Sequence, residues 1–122
     1  MKPKVIKIKE GESVAPYSPA VKYGNLMFLS GQTASKNGTI EEETKEAMEA
    51  IKAIVEANGS TMNDILRCQI FLRNGSDFAA MNGVYKTFFD EEEGYPARFC
   101  TYNADLYGGL LVEIDAIVAV EE

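Results

Sequence analysis

The chain has 122 residues, long enough for one domain with a proper core and too short for two. It is 46% hydrophobic and 25% charged, and its 12 basic residues against 19 acidic ones leave a net charge of −7. It therefore lacks the clustered Lys and Arg that neutralise nucleic-acid phosphates. Histidine is absent, which excludes Ser-His-Asp and Cys-His nucleophile systems, histidine zinc sites and histidine acid–base catalysis together.

The opening MKPKVIKIKE carries lysines but no apolar core, so it does not read as a secretory signal. Val5-Ile6-Lys7-Ile8-Lys9 alternates like an edge strand with lysines on its outer face. Val21-Lys22-Tyr23 and Leu26-Met27-Phe28-Leu29-Ser30 flank Gly24-Asn25, a two-residue hairpin signal. Lys36-Asn37-Gly38 reads as a loop. Over residues 41–58 the period becomes helical: Ala47, Met48, Ile51, Ile54 and Val55 recur at three and four. Glu41, Glu42 and Glu43 suit the positive end of that helix as a solvated first turn rather than a metal site, and Gly59 supplies its C-cap.

Residues 65–73 form the next strand, with Leu66, Cys68, Ile70 and Leu72 on one face. Ser76 is positioned to cap a second helix whose stripe is Phe78, Met81, Tyr85 and Phe88. An acidic turn over residues 90–93 and Gly94 end it, a strand through Arg98 follows, and a Gly108-Gly109 turn leads into a last strand over residues 110–120. In that strand Val112, Ile114, Ala116, Val118 and Val120 alternate with Leu111, Glu113, Asp115, Ile117 and Ala119. The order predicts an α+β sheet with two helices on one face. The other face, with Leu111, Ile117 and Phe71, is too apolar for water, and burial against further copies of the chain is the expected solution. Nothing reaches membrane-spanning length. Cys68 and Cys100 fall inside apolar runs, outside any metal spacing, and read as reduced thiols of a soluble, cytoplasmic protein.

The run GYPARFCTY, residues 94–102, places an arginine among aromatic and apolar neighbours. From pattern alone Arg98 is a structural ion-pair partner, to Asp115 or Glu113, or a receptor for a carboxylate or phosphate. Glu113 alone is an ordinary outward strand residue. Cys100 is a small core hydrophobe, Tyr17 plugs a turn, and Asn82 is a helix-surface amide.

Taken together, Ala15-Pro16-Tyr17-Ser18, Ser30-Gly31-Gln32, Asn82 with Tyr85, Pro96-Ala97-Arg98 with Cys100, and Val112-Glu113-Ile114-Asp115-Ala116 resemble, in this order, the RidA/YjgF family of enamine/imine deaminases. The similarity spans residues 11–120. It implies a chorismate-mutase-like α+β fold over residues 1–122, with a mixed six-stranded sheet and two helices on one face. It also implies a homotrimer with sites between subunits. The implied activity is hydrolysis of 2-aminoacrylate and related 2-imino acids to 2-keto acids and ammonia, without metal or cofactor. By the same resemblance Arg98 binds the substrate carboxylate and Glu113 holds or activates the attacking water. Cys100 contacts substrate through its backbone, and Tyr17, Ser30 and Asn82 line the cleft. The segment Ala104-Asp105-Leu106-Tyr107-Gly108-Gly109 departs from the Leu-Pro-Lys-type loop of many relatives, which leaves the preferred imino acid open. Two other functions stand beside the deaminase: an endoribonuclease or translation inhibitor of the L-PSP type, and a non-catalytic small-molecule-binding protein.

Overall fold

Alternation and three-four periodicity resolve into strands and helices much as expected in a computed structural model that describes residues 3–6 and 15–121. In chain order the elements are β1 (Lys4–Ile6), β2 (Ala20–Tyr23), β3 (Leu26–Gln32), α1 (Ile40–Ala57), β4 (Ile65–Leu72), α2 (Phe78–Tyr85), β5 (Ala97–Thr101) and β6 (Val112–Ala119). They build one mixed sheet in the order β1-β2-β3-β6-β4-β5. Only β4 and β5 pair in parallel. The body is the five strands β2-β3-β6-β4-β5, and of the strand expected at the N-terminus the three residues of β1 are described, on its edge. Lys7, Ile8 and Lys9, expected to continue that strand, lie outside the described residues.

Gly24 and Asn25 turn β2 into β3, with Tyr23 opposite Leu26 and Gly24 at φ 62°. Such positive φ matches the hairpin's twist and suits glycine. In α1 the Thr39 hydroxyl accepts from the Glu42 N–H (3.1 Å) while the Glu42 carboxylate accepts from the Thr39 N–H (2.8 Å), a reciprocal cap. At the other end Ser60 N–H donates to the Val55 carbonyl and Gly59 N–H to that of Glu56, with Gly59 at φ 82°. That is the Schellman closure glycine permits just past the C-cap Asn58.

Both helices lie on one face. Met48, Ile51 and Val55 of α1 and Met81 and Tyr85 of α2 pack with Cys68, Ile70, Val112, Ile114 and Val118 in one core. On β6 the expected inward residues are buried and the intervening ones half-buried. The opposite face carries Phe28 and Phe99, both more than 40% exposed.

Three local expectations are corrected. Leu66 does not join Cys68, Ile70 and Leu72: it is 47% exposed, because the β4–β6 register shifts between Ile65 and Arg67. A bulge there turns two successive side chains outward. Ser76 does not cap α2, since a 3₁₀ turn over Gly75–Asp77 intervenes and the N-cap position is Asp77. Glu43 is not solvated. It is buried at 1% exposure, and its carboxylate accepts from the backbone N–H groups of Gly38 (3.1 Å) and Leu111 (2.8 Å). A buried acceptor pays for itself only by satisfying donors, and here it ties the start of α1 to the start of β6.

Candidate active site

Glu113 sits on the outer face of β6, directly opposite Phe71 of β4. Beside it, β3 changes register between Leu29 and Gln32, so Ser30 and Gly31 together oppose the stretch between Ala116 and Ile114. Bulges of this sort re-aim side chains and terminate pairing. Here the bulge brings Gly31 against the glutamate: a Cβ on Gly31 would lie 2.8 Å from Glu113 Cδ and 2.9 Å from Cγ, and nearer still to Oε2. The carboxyl group thus occupies the space a side chain at 31 would need. Glu113 shares a cavity of about 620 Å³ with Ala15, Tyr17, Ser30, Gly31, Thr33 and Tyr107. Ser30 is fixed by donating from Oγ to the Ser18 carbonyl at 2.5 Å. The Tyr17 ring is 53% exposed.

Partial burial raises the Glu113 pKa above its ordinary 4.5, and neighbouring Asp115 adds to the shift. Asp115 is raised for the same first reason but is held partly in check by the Gln69 N–H (3.1 Å) and by Arg67. A carboxyl group moved toward neutrality in a cleft is suited to taking and returning a proton.

Arg98 lies elsewhere. It pairs with Cys68 across the parallel β4–β5 ladder and so points to the helix face. There its Nη2 donates to Asn82 Oδ1 at 2.6 Å. Its guanidinium carbon stands 4.9 Å from the Tyr85 ring centroid and 5.6 Å from that of Phe78. Aromatic faces hold a planar cation without neutralising it. Among the described residues Arg98 makes no ion pair, and Asp115 and Glu113 are on the opposite face. The ion-pair reading is thereby set aside. Arg98 lines a second cavity, of about 340 Å³, with Asn82, Tyr85, Lys86, Tyr95 and Pro96.

Cys100 follows Arg98 on the same face and packs against the core. Burial pushes its thiol pKa up, outweighing the lowering by Arg98. Cys68 is pushed up to about 11, chiefly by burial. Neither is an activated thiolate.

The expected site residues therefore fall into two groups. Tyr17, Ser30 and Glu113 meet in one cavity; Asn82 and Arg98 meet in another, with Cys100 on the same strand. Sequence reasoning assigned no role to Gly31, Thr33, Lys86 or Tyr95, read Phe78 only as core, and counted Tyr85 in the helix stripe and in the family resemblance without a contact to Arg98. The Ser30-Gly31 pair before a polar residue was the available signal for the bulge, and Tyr95-Pro96 for the aromatic wall.

Residues 7–120 match the family model described as Endoribonuclease L-PSP. A 2-iminobutanoate/2-iminopropanoate deaminase of Dermatophagoides farinae is 39% identical over 117 residues, 90% of each chain. Among solved structures, E. coli TdcF with bound serine superposes with a TM-score of 0.85 at 33% identity, covering 95% of this chain and 98% of that one. RidA from an Antarctic Psychrobacter gives 0.84 at 34% identity, covering 96% and 99%.

Proposed function

This chain belongs to the RidA/YjgF family, and from that premise we propose that it is a cofactor-independent deaminase hydrolysing 2-aminoacrylate and related 2-imino acids to 2-keto acids and ammonia. The observation that carries the reading is the state of Arg98: pinned by Asn82, flanked by two rings, facing a cavity, and without a carboxylate partner among the described residues. A guanidinium has five N–H donors in a fixed fork, and Asn82 engages one nitrogen. The remaining donors of the fork can grip a substrate carboxylate bidentately.

With the carboxylate held, the iminium carbon is already electrophilic. Water adds to it as Glu113 takes a proton, giving a carbinolamine. Glu113 returns that proton to nitrogen. As the C–N bond breaks and ammonia leaves, the hydroxyl gives its proton back to the Glu113 carboxylate and its oxygen becomes the keto oxygen. The proton then passes to the departing ammonia as ammonium. 2-Aminoacrylate enters this sequence after solvent protonates its methylene carbon, which turns the enamine into the iminium. Orientation supplies much of the rate and proton transfer the remainder. Tyr17, Ser30, Asn82 and the Cys100 backbone complete the cleft.

Arg98 and Glu113 stand on opposite faces of one sheet, so one chain cannot present both to a molecule as small as 2-aminoacrylate. We assign the two cavities to neighbouring copies in a homotrimer, each site joining the Arg98 of one copy to the Glu113 of the next. The outer face supports this, since Phe28, Leu66 and Phe99 are exposed there and closed cyclic assembly covers such a face. Two unpaired cysteines suit action in the cytoplasm.

The test is release of pyruvate or 2-ketobutyrate from imino acids made by a serine or threonine dehydratase. The protein should accelerate release severalfold over spontaneous hydrolysis. An unchanged rate contradicts the proposal. RNA cleavage that survives repurification and disappears on changing Glu113 would favour the ribonuclease reading, against which the net charge of −7 argues.

A further inference from the structure

Around the Glu113 cavity most walls are small: Ala15, Gly31 and Thr33 leave room that the smallest imino acids do not fill. Tyr17 and Tyr107 are the two aromatic exceptions, and Tyr107 is the more exposed of them. Its ring is 83% exposed while lining the same cavity, yet the backbone that carries it is held firmly. Arg73 Nη2 donates to the Leu106 carbonyl (2.5 Å) and Nε to that of Leu110 (3.0 Å), with Nη1 3.6 Å from Asp105. Asn37 Nδ2 donates to the Gly108 carbonyl at 3.1 Å. Gly108 and Gly109 adopt φ of 65° and 73°, which other residues rarely tolerate and which sets the turn immediately after the ring. The loop is fixed, and the aromatic side chain it presents stands largely uncovered by the described residues.

We infer that Tyr107 is the specificity-determining residue of the cleft, and that it selects 2-imino acids with bulky apolar side chains, aromatic ones foremost. The inference rests on the deaminase reading above and names the substrate class within it. A ring presented over small residues gains by stacking against another ring and by burying apolar area. Glu113 on the same cavity disfavours acidic side chains by like charge. No polar group of the Tyr107 ring is needed, so the ring rather than its hydroxyl carries the preference.

The experiment compares wild type, Tyr107→Ala and Tyr107→Phe on imino acids generated in situ by an amino-acid oxidase from alanine and from phenylalanine. Semicarbazide traps the untreated fraction. Wild type should show the higher kcat/KM on the phenylalanine-derived substrate. Tyr107→Ala should lose about tenfold on that substrate and under about twofold on the alanine-derived one, the scale of one aromatic contact with its area. Tyr107→Phe should keep both. Equal losses on the two substrates, no loss on either, or a changed sedimentation coefficient for Tyr107→Ala would overturn the assignment, the last by placing the ring in a subunit contact. If wild type turns over neither imino acid, the deaminase reading fails and calorimetric titration with phenylpyruvate and pyruvate decides for Tyr107. Tighter phenylpyruvate binding that Tyr107→Ala abolishes supports the inference, and indifference to the substitution contradicts it.

Discussion

Gly31→Ala offers a probe of Glu113 that leaves the glutamate in place. The added Cβ would meet Cδ at 2.8 Å and Cγ at 2.9 Å, whereas comfortable carbon–carbon contacts lie near about 3.5–4.0 Å. The carboxyl group must therefore retreat by roughly 1 Å or swing to another rotamer. Gly31 is not among the glycines at positive φ, so the backbone accepts alanine and the cost falls on the neighbour. A displacement of that size costs about a hundredfold in rate where positioning matters, within the range of general acid–base catalysis. We expect kcat in the coupled keto-acid assay to fall about a hundredfold, with 2-keto acid affinity within about twofold because Arg98 carries that contact. Combining Gly31→Ala with Glu113→Gln should add little beyond either alone, since both disable one group. Wild-type kcat in a folded Gly31→Ala protein would refute the reasoning, because the carboxyl would then be free to work from another position or not be the proton carrier.

Other substitutions test the remaining roles. Arg98→Lys keeps the charge and loses the planar fork, so kcat/KM should fall by about tenfold or more; unchanged turnover would make the arginine structural. Cys100→Ser should retain most activity, because the thiol pKa is raised and its assigned contact is through the backbone; a loss on the order of a thousandfold would indicate a nucleophile. Glu113→Gln should lower kcat about a hundredfold and remove the acid limb of the pH–rate profile. In wild type that limb lies above the ordinary value of 4.5, since burial raises the pKa and activity falls as the ionised form disappears below it. The sign for stability is opposite. A raised carboxyl pKa is a cost present above it and relieved as pH falls, so the Gln variant should gain Tm at pH 7 and lose that gain toward pH 4.5. An equal Tm difference at both pH values would contradict this origin.

Much of the architecture is legible because periodicity reports burial. The hairpin at Gly24-Asn25, the α1 stripe and the alternation of β6 all follow from residues whose neighbours in sequence determine their environment. What escaped depends on partners distant in sequence. Leu66 alternates correctly but lies on a bulge visible only opposite Ile117 and Val118. Glu43 looks like a first-turn acid until Leu111 brings its N–H to it. Ser76 has the chemistry of a cap, but the 3₁₀ turn shifts the helix start past it. The candidate site shows the same division. Tyr17, Ser30 and Glu113 could be grouped by resemblance, and they share a cavity. That Arg98 faces the helices while Glu113 faces away follows from the parallel pairing of β5 with β4, which no local pattern encodes. The aromatic seat of Arg98, Tyr85 with Phe78, was hidden because a ring that flanks a cation and a ring that fills a core have the same sequence signature.

The central claim is that each site takes Arg98 from one copy and Glu113 from another, and complementation tests it most directly. Arg98→Lys and Glu113→Gln chains, each impaired by about tenfold or more alone, are co-expressed with different tags and the mixed oligomers purified. Random assembly in equal amounts leaves an intact site wherever a Glu113→Gln chain supplies its Arg98 beside an Arg98→Lys chain supplying its Glu113. In a closed trimer every mixed ring contains that junction once, so about a third of the sites in the purified mixed oligomers are intact. Keto-acid release is expected at about a third of the wild-type rate per site. Mixed oligomers no more active than their parents would place both residues of each working site in a single chain and contradict it.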